Sequence, residues 1–158
     1  MPPAPPKMRT NRMSLALDRS NDNEDIPNPH SLPSVTKLQK LTPQQFDECS
    51  KYFPVFNEIT FEYLCSKDHL MREKGIEIIN EALVNWEGRD KKEAEEFILA
   101  SVFVVRKLMD DKIISVLVVL MDFFGMMMKK FKPAQIGAAS KNIQYILEKL
   151  GDYIGHNN

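Results

Sequence analysis

From Thr42 onward, apolar positions recur three and four residues apart, the spacing that lines one face of an α-helix. Thr42 followed by Pro43 predicts a first helix over about 43–51, because Thr accepts an N-terminal amide and Pro fits the first helical turn. Pro54 separates it from a second short helix over about 55–65, with Phe56, Ile59, Tyr63 and Leu64 as its apolar face. The turn Ser66-Lys67-Asp68 supplies a cap for a third helix over about 69–86. Its inner side holds Leu70, Gly75, Ile76, Ile79 and Leu83, with Arg72, Glu73, Glu77 and Glu81 outward. Gly88 is the expected residue just past its end. A fourth helix, about 91–109, is strongly apolar from Phe97 to Val105. A fifth, about 112–131, is capped by Asp110 or Asp111 and stopped by Pro133. Both are apolar around most of their circumference, which predicts helices covered on more than one side. A sixth, about 134–150, turns Ile136, Ile143, Ile146, Leu147 and Leu150 inward.

The pattern repeats. Lys107-Leu108-Met109-Asp110 returns 42 residues later as Lys149-Leu150-Gly151-Asp152, and Ser66-Lys67-Asp68 is a weaker copy 42 residues before Asp110. Each copy falls where one helical pattern stops and another is due. A period near 42 with a helix on each side of the turn predicts HEAT or armadillo-type repeats, whose units run about 40–47 residues. The expected fold is all-α, a short HEAT-like solenoid over residues 41–158 made of two full repeats and part of a third. Such stacks have no cleft of their own and present turns and helix faces to another macromolecule.

Composition narrows this further. Residues 1–40 hold seven of the ten prolines and no Phe, and read as a disordered linker. Net charge is +2 there (six basic, four acidic) and −3 over residues 41–158 (fifteen basic, eighteen acidic). An acidic folded part lacks the basic footprint of a nucleic-acid binder. Cys49 and Cys65 are too few for a disulfide framework or a zinc site, and read as small buried thiols of a cytosolic protein. The N-terminus has no apolar core of a signal peptide. Ile113–Met128 is sixteen residues, shorter than the roughly 20 a spanning helix needs, and Asp122 near its middle would be costly in lipid.

Catalysis finds no constellation. His30, His69 and His156 lie in a linker, a turn and a tail, and no phosphate-cradling glycine loop occurs. No catalytic residue, metal site or cofactor is expected. Lys129, Lys130 and Lys132 suit the C-terminal dipole of the fifth helix, and Met126-Met127-Met128 reads as core filler.

Leu41-Thr42 with Phe46, then Phe56-Asn57-Glu58, Ser66-Lys67, Arg72-Glu73 and Ala100-Ser101-Val102-Phe103-Val104-Val105-Arg106-Lys107 resemble a TOG domain, closest to that of the centrosomal protein of 104 kDa family. The same order continues through Asp110, Ser115 and Val116, and the likeness covers roughly residues 41–152. TOG domains are HEAT-repeat modules that bind tubulin through the edge formed by the turns inside each repeat. The resemblance therefore implies a non-catalytic tubulin-binding or microtubule-associated module of a centriolar or ciliary-tip protein in the cytoskeleton. The implied contact residues are Lys67, Asp68, His69, Leu70, Arg72, Asp110, Asp111, Lys112 and Asp152. The Trp common in the first turn of such domains is replaced by His69, and Trp86 falls at the other end of its helix. The alternative is a scaffold of the same fold that binds another protein or a second copy of itself through the exposed face of the last helix.

Overall fold

Side-chain caps decide where the helices begin. The computed structural model describes residues 37–156, apart from Arg89 and the side chain of His156. The disordered head expected up to residue 40 lies almost wholly outside those residues. Helix α1 is Pro43–Cys49, started by a reciprocal cap. Thr42 Oγ1 accepts the Gln45 amide at 3.1 Å, and Gln45 Oε1 accepts the Thr42 amide at 3.0 Å. Asn57 caps α2 (Glu58–Leu64) by accepting the Thr60 amide at 2.9 Å. Asp68 caps α3 (His69–Val84) and Asp90 caps α4 (Lys91–Leu108) in the same way. Helix α5 is Ile114–Lys130; a single turn, α6 (Pro133–Ile136), and a 3-10 turn (Gly137–Ala139) lead into α7 (Ser140–His156).

Among the described residues the fold is all-helical, the stack of hairpins that the period predicts. Helix α2 packs on α3 and α4 on α5; α3 lies beside α5, and α7 packs on α4. One bond spans the period itself, from Ser115 Oγ to Glu73 Oε2 at 2.6 Å, 42 residues apart.

An aromatic group fills the first half of the core. Phe61 is fully buried, with its ring 5.7 Å from Phe53, 6.4 Å from Phe56 and 6.2 Å from Phe103 of α4. Gly75 of α3 lies against Leu64 of α2, where an added Cβ would stand 2.8 Å from Leu64 Cδ2 and 3.0 Å from its backbone nitrogen. Close approach of α2 and α3 therefore requires glycine here. Cys49 is fully buried and Cys65 half-buried, both as free thiols. Met127 is buried and Met128 half-buried, but Met126 is 41% exposed. No described helix is long and apolar enough to cross a membrane.

Several expectations are corrected. Helix α2 begins at Glu58, not near 55, so its phase differs: Phe61 takes the core and Ile59 is 59% exposed. Leu70 and Leu147, expected inward, are 50% and 52% exposed. Helix α3 stops at Val84 with Asn85 as its cap, ahead of Gly88. Trp86 then folds back onto Phe131, 5.0 Å away, and Phe97, 6.0 Å away. The sixth helix is broken at 137–139 and then runs on through Gly151 to His156. The Lys149–Asp152 copy of the repeat thus lies inside a helix and makes no turn. Each glycine weakens a helix by only about 1 kcal/mol, and Tyr153, between Gly151 and Gly155, fastens the last turns to the neighbouring repeat.

Candidate functional site

The α2–α3 and α4–α5 turns come to one edge because α3 and α5 lie side by side. At the first turn Ser66 Oγ accepts the Asp68 amide at 3.1 Å, and Asp68 Oδ1 accepts the Leu70 amide at 3.0 Å. Asp68 is thereby occupied in holding the turn. Lys67 is exposed, His69 half-buried and Leu70 exposed.

The adjacent aspartates of the second turn face opposite ways. Asp111 receives a two-pronged bond from Arg72, Nε at 2.6 Å and Nη2 at 3.0 Å, and accepts the Ile113 amide at 2.9 Å. Arg72 also donates Nη1 to Ser66 O at 2.9 Å, so one guanidinium ties the first turn to the second. The side chains of Arg72 and Asp111 are 15% and 6% exposed. Burial opposes ionisation of Asp111, but the Arg72 hydrogen bonds, the Ile113 amide and the Arg72 charge outweigh it and hold the carboxyl below the ordinary 3.8. Asp110 turns the other way, 2.8 Å from Lys149 Nζ and 3.0 Å from the Tyr153 hydroxyl of α7. The Lys149 bond, then the Tyr153 bond, holds its carboxyl below 3.8 as well.

Two expectations change with this geometry. Arg72, expected outward against an acidic partner, is a half-buried clamp between repeats. Asp110 and Asp111, expected as caps of α5, bind α7 and α3 instead; only the Ile113 amide, just ahead of the helix, is taken by Asp111. The residue in the cap position is Ile113, which has no capping side chain. Asp152 is exposed on α7 and belongs to no turn.

The edge therefore presents Lys67 and Lys112, exposed and without an ion pair among the described residues, with His69 and Leu70 between the turns. It also presents Ile113 (38% exposed) and Ile114 (70% exposed), although the apolar pattern of the fifth helix predicts cover on more than one side. A signal was available: apolar Ile113 stands where a capping residue is normally found. Lys149 was visible as part of the repeat copy, but its partner was not.

Elsewhere the openings are shallow, with mixed polar and apolar linings. A cleft of about 570 Å³ between α1 and α4 is lined by Tyr52, Phe103, Arg106, Lys107 and Glu48. Three of its charges are engaged within the fold: Lys107 bonds Glu48 at 3.0 Å, and Arg106 bonds Asn142 at 2.6 Å while lying over Tyr145. The Lys129–Lys132 cluster sits at the far end of α5, where Lys130 Nζ reaches Val84 O at 3.4 Å. Among the described residues no group of three His, Cys, Asp or Glu side chains is placed to hold a metal ion.

Comparison with known proteins places this geometry. The family model described as "Centrosomal protein CEP104, TOG domain" matches residues 47–154. The solved structure of the TOG domain of human Cep104 is similar to this chain at 20% identity, with a TM-score of 0.62. The likeness covers 68% of this chain and 44% of that one, and at this identity it speaks for the fold. No curated protein matches the chain.

Proposed function

Because the chain belongs to the family of the TOG domain of centrosomal protein CEP104, we propose that it is a non-catalytic tubulin-binding module, acting at microtubule ends of a centriole or ciliary tip. The observation that carries the reading is the turn edge. Asp110 and Asp111 are engaged by cations within the fold and Asp68 holds its own turn through the Leu70 amide, while Lys67 and Lys112 stand exposed on the two turns. An edge whose acids are engaged within the fold and whose lysines are exposed without an ion pair among the described residues suits an acidic αβ-tubulin surface. Long-range attraction of this kind weakens as salt shortens the screening length to about 8 Å at physiological ionic strength.

The test is sedimentation of the full chain with unpolymerised tubulin at low and moderate salt. The expected result is a complex that weakens with salt and is lost, by at least about tenfold in affinity, in the Lys67→Glu/Lys112→Glu variant. Unchanged binding by that variant contradicts the assignment to this edge.

A second reading is favoured by a separate observation. Leu147 (52% exposed), Leu150 and Ile154 (65% exposed) form one apolar stripe along α7. Such a stripe suits a scaffold that self-associates or binds another helix. Sedimentation of the chain with and without tubulin decides it: a dimer that ignores tubulin supports the scaffold and contradicts the tubulin module.

A further inference from the structure

Four helices of this chain begin with a residue whose side chain accepts an amide of the first turn: Thr42, Asn57, Asp68 and Asp90. Helix α5 does not. Its cap position holds Ile113, among the least favourable residues there, although its backbone (φ −96°, ψ 116°) is the extended conformation that a capping side chain uses. The next residue, Ile114, is 70% exposed and gains little from burial. Leu70, at the matching end of α3, is 50% exposed. Three aliphatic side chains are thus partly or largely exposed at the two turns that also carry Lys67 and Lys112. Local physics favours polar residues at all three positions, and where a sequence breaks its own local rules a function is the usual cause.

We propose that Ile113, Ile114 and Leu70 form the apolar centre of the contact surface, and that the partner offers an apolar patch ringed by carboxylates. The inference rests on the tubulin reading and deepens it: the lysines steer and orient, while the aliphatic row supplies the desolvated centre where binding strength concentrates. His69 borders this row and need not replace a tryptophan, since the bulk has moved to the second turn.

The test uses Ile113→Thr, which keeps the β-branched shape and restores a cap, and Ile114→Ser, which adds no charge. Each is examined for thermal unfolding and for tubulin affinity across a salt series. The expected result is an unfolding temperature raised by Ile113→Thr and unchanged by Ile114→Ser. Affinity falls at least about tenfold in Ile114→Ser, with the salt dependence of binding as in the wild type. The Lys67→Glu/Lys112→Glu variant, in contrast, flattens that salt dependence. A lowered unfolding temperature in both isoleucine variants makes them folding residues and overturns the proposal. So does wild-type affinity in Ile114→Ser. If the wild-type chain ignores tubulin, the tubulin reading fails, and the melts alone decide whether these isoleucines are kept for contact or for folding.

Discussion

Replacing Phe61 by Ala is expected to remove about 3–5 kcal/mol of stability, the range for truncating a fully buried aromatic ring. Phe61 has no exposed surface, and its ring meets Phe53 and Phe56 of the α1–α2 connection and Phe103 of α4. It joins the α1–α2 connection to α4, so the space left by its loss is walled by helices that cannot close independently. Interiors are packed as densely as organic crystals, and a ring-sized void forfeits the contacts of every side chain around it. Ile59 stands on the same short helix but is 59% exposed. Ile59→Ala is therefore expected to cost less than about 1 kcal/mol. Urea titration of both variants checks the pair, and equal losses would contradict the phase assigned here to α2.

The second large effect is expected at Asp111. Asp111→Ala leaves the Arg72 guanidinium, 15% exposed, without its carboxylate. Removing one member of a buried ion pair costs about 3–5 kcal/mol, because the remaining charge stays desolvated and unpaired. Partial exposure of Arg72 puts the expectation at the lower end, about 3 kcal/mol. The joint change Arg72→Met/Asp111→Leu removes both charges and is expected to cost less than Asp111→Ala alone. The pH dependence has a definite sign. The folded carboxyl sits below its ordinary 3.8, so its stabilisation is present above that value and disappears as pH falls through the lower, folded one. Wild-type stability should thus drop below about pH 4, and more steeply than that of Asp111→Ala. Asp110 acts in the same direction, but its side chain is 65% exposed, so solvent screens most of its contribution.

Local chemistry made much of the fold legible in the sequence. Thr42-Pro43 and Asp68 mark helix starts through their own hydrogen bonds, and no tertiary information is needed to find them. The 42-residue period also has a physical counterpart, since Ser115 and Glu73 bond across one full repeat. What periodicity cannot supply is the partner of a face. It puts Leu70, Leu147 and Ile59 on apolar stripes, yet only the arrangement of neighbouring helices decides which edge of a stripe is covered. Likewise Arg72 reads as an outward charge and Asp111 as a helix cap, and their pairing across 39 residues depends on α3 and α5 lying side by side. The Lys149–Asp152 copy misled for the opposite reason. Its letters match a turn, but the Tyr153 hydroxyl, bonded to Met109 O and Asp110, holds the segment in a helix.

Hydrogen–deuterium exchange of the full chain, with and without saturating tubulin, locates the contact surface. Slowed exchange is expected at residues 66–70 and 110–114, the two turns that form the edge, with the far end of α5 around Lys129–Lys132 unchanged. Protection confined to that far end, or to the outer face of α7, would contradict the assignment to this edge.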